Sequence, residues 1–184
     1  MDARITVWVA THRVGFLNGF FVALGTVEKL GLLWVLAAIA IGLALGLGVK
    51  RTALLAAIVG VTTFAADSAA FGVKDLTHRT RPFVAHPQIH PLYVVHSSSF
   101  PAGHAATAFA GAVVLAFVAP RAAPVLFAVA VLICFSRVYV GVHYPSDVLA
   151  GAAIGALVGG ISVAVQRLLA ARAGTSGLAL NMSE

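Results

Sequence analysis

The run HYPSDVLAGAAIGALVGGISVAVQRLL, from His143 to Leu169, decides the fold. After His143 and Asp147 it carries no charge until Arg167. Backbone amides and carbonyls in lipid must be paired within the segment, so an apolar run of this length reads as a membrane-crossing helix over Ser146–Leu169. Gly151, Gly155 and Gly159 recur every fourth residue and give that helix a small-residue face for close packing. Pro145 suits a first helical position and sets Asp147 in the first turn, four residues after His143.

The rest of the chain has the same character. Of its 184 residues 60% are hydrophobic and only 10% charged, and the mean hydropathy is +0.99. So few polar groups do not cover a soluble domain of this size, so the solvent is a bilayer. Further spans read at Gly31–Val49, Thr52–Val73, Gly103–Ala119 and Pro124–Val138. The expectation is an all-α integral membrane protein, a bundle of five or six transmembrane helices in one domain over residues 1–184. Residues 1–30 mix Trp8, Phe16, Phe20 and Phe21 with polar groups, and lie in the interface or make a short sixth crossing. They lack the pattern of a cleaved signal peptide. Lys50-Arg51 joins the first two spans, and residues 80–100 form the one long loop.

The net charge of +6 does not point to nucleic acid, because the twelve Lys and Arg are scattered or sit at the ends of apolar runs. Lys50-Arg51, Arg121, Arg167 and Arg172 fall on one side of five alternating spans, which the positive-inside rule assigns to the cytoplasm. Three polar segments then emerge together on the other face: KDLTHRTRP (Lys74 to Pro82), SFPAGHA (Ser99 to Ala105) and SRVYVGVHYPSD (Ser136 to Asp147). Asp147 is the one carboxylate between Leu76 and Ser183.

Taken singly, these residues have structural readings. Lys and Arg near span ends snorkel to headgroups, an acid complements a helix N-terminus, and an interfacial histidine needs no function. Taken together they suit a phosphate ester. Asp147 is placed to reach a ring nitrogen of His143, leaving the other as a nucleophile. Lys74, Arg81 and Arg137 supply positive charge, and Gly103 with His104 opens a helix whose N-terminal amides favour an anion. Asp67, seven residues before Lys74, reads as structural.

Lys-x6-Arg-Pro, Pro-x-Gly-His and Ser-Arg-x5-His-x3-Asp, in this order from Lys74 to Asp147, resemble the type 2 phosphatidic acid phosphatase superfamily. That group includes haloperoxidases with vanadate in the same cradle. The resemblance implies hydrolysis through a phosphohistidine, without metal or other cofactor. By motif, His143 resembles the nucleophile, Asp147 its orienting partner and His104 the general acid. Lys74, Arg81, Ser136, Arg137 and the backbone at Gly103 and Ala102 resemble the phosphate cradle. The family usually has serine where this chain has Ala102, so a hydroxyl contact is missing there; Ser98 and Ser99 are nearby substitutes in sequence.

The stretch Arg81-Pro-Phe-Val-Ala-His86 and the compact length resemble the bacitracin-resistance undecaprenyl-diphosphatases. That implies a lipid diphosphate partner, dephosphorylated on the extracytoplasmic side of the bacterial plasma membrane to recycle the wall carrier lipid. Phosphatidylglycerol phosphate and phosphatidic acid fit the same cradle. A metal at His86 and His90 is disfavoured by the intervening Pro87 and the lack of a loop carboxylate. A non-enzymatic lipid transporter is the alternative of a different class; it needs no nucleophile with an orienting acid.

Overall fold

The computed structural model describes residues 1–172, and among them every regular element is helical. The helices are α1 (Asp2–Thr11), α2 (Gly15–Val27), α3 (Leu32–Ala44), α4 (Gly48–Thr77), α5 (Pro82–Ala85), α6 (Gly103–Val118), α7 (Ala123–Tyr139) and α8 (Pro145–Arg172). Three stretches, Gly48–Ala85, Pro120–Tyr139 and Pro145–Arg172, are long and apolar enough to cross a bilayer. A fourth candidate is the α1–α2 pair, bent by 119°. Large apolar side chains on α4 and α8, among them Phe64, Phe71, Leu157 and Leu168, stay exposed as a lipid-facing surface requires.

The five or six expected crossings do not all appear as full-length helices. α6 has 16 residues, about 24 Å of helix against about 30 Å of hydrocarbon. The reason is its position. Eleven of its residues are buried, and it packs on α3, α4, α7 and α8. A helix enclosed by protein has no lipid to match. α8 lies on it through the glycines: a Cβ at Gly155 would overlap the Ala106 carbonyl, and one at Gly159 would come 3.0 Å from that of Ala110. Small residues therefore let these two helices approach backbone to backbone.

The N-terminal third differs most from expectation. α2 packs against α7, ends at Val27, and gives way to a turn in which Leu30 and Gly31 both have positive φ, 58° and 75°. α3 then runs on, antiparallel to α4, with Gly42 against Thr52. It stops at Ala44 rather than Val49. The turn to α4 uses Gly46 and Gly48 at φ 64° and 75°, left-handed values that favour glycine. Gly46 thus serves the turn. Lys50 and Arg51, expected in the connecting loop, lie in the first turn of α4. At its other end α4 closes with His78 at φ 45°, which turns the chain so that Arg79 and Arg81 come back over the bundle.

Candidate functional site

The C-terminal ends of α4 and α7 and the N-terminal ends of α6 and α8 meet at one end of the bundle. All three polar segments lie there, under the loop from Thr80 to Phe100.

His143 sits in the connection between α7 and α8, 4% exposed. Its Nε2 is 3.4 Å from the Arg81 guanidinium, which only donates hydrogen bonds. That neighbour fixes a lone pair on Nε2 and the proton on Nδ1, facing Asp147. The Nδ1 to Asp147 Oδ2 distance is 3.5 Å, longer than a charge-assisted hydrogen bond, and Nδ1 has no hydrogen-bond partner. Burial, followed by the nearby Arg81 and Lys74, pushes the His143 pKa down to about 4, with Asp147 opposing. The imidazole is therefore neutral near pH 7.

Asp147, fully buried, has more partners than its spacing from His143 suggested. Oδ2 accepts from the Ser99 hydroxyl at 2.5 Å and the Tyr144 amide at 2.8 Å. Oδ1 pairs with Arg79 at 2.6 Å. Arg79 also pairs with Asp2 at 2.7 Å and stacks over the Tyr144 ring at 4.3 Å. Asp2 in turn accepts from the Ser146 amide at 3.0 Å and from the Ser146 hydroxyl. A chain of alternating charge thus runs from the N-terminal helix to the carboxylate beside His143. Arg79 lies in the first polar segment but holds no motif position, so its pairing with Asp147 was not announced, and Asp2 is 145 positions from its counterpart.

The cationic residues are present but clothed in protein acceptors. Lys74 donates to the Ser98 carbonyl at 3.2 Å. Arg81 donates to the Ser97 carbonyl at 2.7 Å, the Val142 carbonyl at 2.8 Å and the Ser98 carbonyl at 3.2 Å. Arg137, 1% exposed, donates through Nε to the Ser136 hydroxyl at 2.9 Å, to the Tyr93 hydroxyl at 2.6 Å and to the Phe21 carbonyl at 3.3 Å. Ser136 itself donates to the Ile133 carbonyl at 2.6 Å. Its visible effect is to aim the guanidinium. An open depression of about 370 Å³, lined by His78, Arg79, Arg81, His96, Ser97 and Ser98 among others, reaches Arg81 but not Lys74, Arg137, His104 or His143.

The α6 N-terminus requires two corrections. The Ala102 amide, expected to face an anion, donates to the Asp147 carbonyl at 2.9 Å, because α8 packs against this turn. The Gly103 and His104 amides make no hydrogen bond among the described residues, so the anion-favouring dipole rests on them. Gly103 also has a second reason to lack a side chain: a Cβ there would come 2.6 Å from the Asp67 carboxylate. Neither nearby serine replaces the missing hydroxyl, since Ser99 is committed to Asp147 and the Ser98 hydroxyl lies 3.5 Å from the Arg79 carbonyl. His104 approaches the Gly25 carbonyl through Nε2 at 3.2 Å, a partner from α2 that no motif announces.

Residues 31–170 match the profile of the PAP2 superfamily. An undecaprenyl-diphosphatase of Sulfolobus acidocaldarius is 37% identical over 98 residues, half of this chain and 46% of its own length. A decaprenylphosphoryl-5-phosphoribose phosphatase of Mycolicibacterium smegmatis is 41% identical over 119 residues, 64% of this chain and 62% of its own. The chain spans about half the length of the curated relatives it matches. Among solved structures, a transmembrane PAP2-type phosphatidylglycerolphosphate phosphatase of Bacillus subtilis superposes with a TM-score of 0.72 at 23% identity, covering 91% of this chain and 85% of that one.

Proposed function

Because the chain belongs to the PAP2 superfamily, we propose that it is a membrane lipid phosphatase that removes the terminal phosphate of a polyprenyl diphosphate such as undecaprenyl diphosphate. The observation that carries this reading is the His143 ring, neutral, its Nε2 lone pair held beside Arg81 and its Nδ1 turned to Asp147. A transporter has no use for that arrangement. The preference for a polyprenyl substrate is supported by two relatives whose names specify undecaprenyl and decaprenyl lipids.

In this reading Nε2 of His143 attacks the terminal phosphorus in line. A P–N bond forms, the P–O bond to the leaving group breaks, and the electron pair departs on that oxygen, which takes a proton from His104 in its imidazolium form and leaves that ring neutral. Asp147 stabilises the charge that appears on the His143 ring. Lys74, Arg81, Arg137 and the Gly103 and His104 amides hold the equatorial oxygens; Ser136 acts through Arg137. Water then attacks the phosphohistidine and gives a proton back to His104; a P–O bond forms, the P–N bond breaks with its electron pair returning to His143 Nε2, and inorganic phosphate leaves. For the cations to meet phosphate, the Ser97–Ser98 carbonyls that now accept from Lys74 and Arg81 must share or release them.

The site opens to the extracytoplasmic side of a bacterial plasma membrane in this proposal. The support is that Lys50, Arg51, Arg121, Arg167 and Arg172 all belong to the opposite end of the bundle. The test is phosphate release in detergent, with chelator, from undecaprenyl diphosphate and phosphatidylglycerol phosphate side by side. Preference for the former is expected. Preference for the latter moves the enzyme to phospholipid synthesis, and release from neither rejects the phosphatase reading.

A further inference from the structure

Two acids among the described residues are fully buried, Asp147 and Glu28. The first belongs to the site; the second has no part in the reaction just described. An ionisable group inside a membrane bundle is costly enough to call for a reason. Glu28 occupies the turn between α2 and α3. Its Oε1 accepts from Thr107 Oγ1 on α6 at 2.6 Å and from Trp34 Nε1 on α3 at 3.2 Å. Its Oε2 has no partner.

The same turn touches α6 a second time. Gly25, three residues before Glu28, offers its carbonyl to Nε2 of His104, and Thr107 is one helical turn beyond His104. That carbonyl is available because α2 stops here: the last four carbonyls of a helix lack intrahelical partners, and the Lys29 amide, which would reach Gly25 in a continued helix, makes no such bond. A carbonyl only accepts, so Nε2 of His104 carries hydrogen, and Nδ1 becomes the nitrogen that trades a proton with substrate. Where His143 has a carboxylate to orient it, His104 has a backbone carbonyl at a helix break. Glu28 ties that break down.

We infer that Glu28 is a positioning residue. It anchors the broken α2–α3 turn to Thr107 and Trp34, and thereby holds the Gly25 carbonyl on His104 so that Nδ1 faces the leaving oxygen. This rests on His104 being the proton donor in the proposed reaction. Loss of the anchor displaces the acid while leaving the nucleophile and its cradle in place, so the deficit depends on how much the leaving group needs a proton.

The experiment compares kcat/KM, which reports phosphoryl transfer to the enzyme, for two esters. Dihexanoyl phosphatidic acid releases an alkoxide that must be protonated; p-nitrophenyl phosphate releases a phenolate that leaves without help. Thr107→Val, which removes the hydroxyl at nearly constant volume, and Glu28→Ala are expected to lose roughly 30-fold on the alkyl ester, the scale of a displaced catalytic group, and less than about 3-fold on the aryl ester. Glu28→Gln, which keeps the acceptor oxygen, is expected within about 3-fold of wild type on both. A parallel fall on the two esters, or no fall in Thr107→Val, overturns the inference while wild-type turnover upholds the phosphatase reading. If the wild type hydrolyses neither these esters nor undecaprenyl diphosphate, that reading fails and the inference falls with it; turnover of the diphosphate without either ester overturns the inference alone.

Discussion

Arg79 holds no position in the three motifs, yet it joins Asp147 to Asp2, and its removal tests that charge chain most sharply. Replacing it with methionine keeps the aliphatic stem and deletes the guanidinium that joins Asp147 to Asp2. Asp147 is fully buried and its contact with Arg79 is 2.6 Å. Breaking a buried pair by removing one partner costs about 3–5 kcal/mol. Two facts reduce that figure: Asp147 keeps Ser99 and the Tyr144 amide, and the Arg79 side chain is 33% exposed, so solvent screens the pair. We expect a loss of about 2–3 kcal/mol, read as a fall of roughly 5–10 °C in Tm for a chain of this size in detergent. A second effect follows on activity. With its competitor gone, Asp147 acts more fully on His143, the His143 pKa rises from its low value, and the acid limb of kcat/KM moves to higher pH. Asp75→Asn, at an exposed acid, is the control and leaves both unchanged. A Tm within about 2 °C of wild type together with an unmoved acid limb would refute the charge chain as a working part of the site.

Two further predictions follow. Because burial depresses His143 to about 4, protonation removes the nucleophile only as pH falls through that value; the acid limb of kcat/KM should lie near 4, whereas a limb at about 6.5 would mean an ordinary, solvated imidazole. Ala102 stands at the N-cap of α6 with no side-chain cap, so Ala102→Ser should raise stability by about 0.5–2 kcal/mol and lower the inhibition constant for vanadate; an unchanged Tm and unchanged vanadate inhibition would contradict this.

The parts of the molecule legible in its sequence are those whose signal is carried by side chains in local order. The long apolar run after Asp147 gave α8, the Gly151, Gly155 and Gly159 series gave it a close-packing face though not the partner, α6, and three motifs brought Lys74, His104, Arg137 and His143 to one end. What escaped was carried by backbone and by distance. Gly25 acts through its carbonyl, and nothing in its side chain announces that. Asp2 and Glu28 lie in a segment whose mixed composition left its course open, yet one closes the charge chain and the other joins α2, α3 and α6. Lys50 and Arg51 looked like a loop because charge at a span end is read as a boundary, although the chain had already turned at Gly46 and Gly48. Ala102 looked like a phosphate contact because it stands inside the Pro-x-Gly-His motif, and only the packing of α8 shows its amide to be taken.

The central claim is that phosphoryl transfer goes through His143, and trapping the intermediate tests it directly. With ³²P-labelled p-nitrophenyl phosphate, His104→Ala still forms the phosphoenzyme but lacks the base for its hydrolysis, so label should accumulate. Acid-labile, base-stable label is expected on the peptide containing His143, and none when His143→Ala is combined with His104→Ala. Absence of label in the single variant, or its persistence in the double variant, would contradict a phosphohistidine at this position.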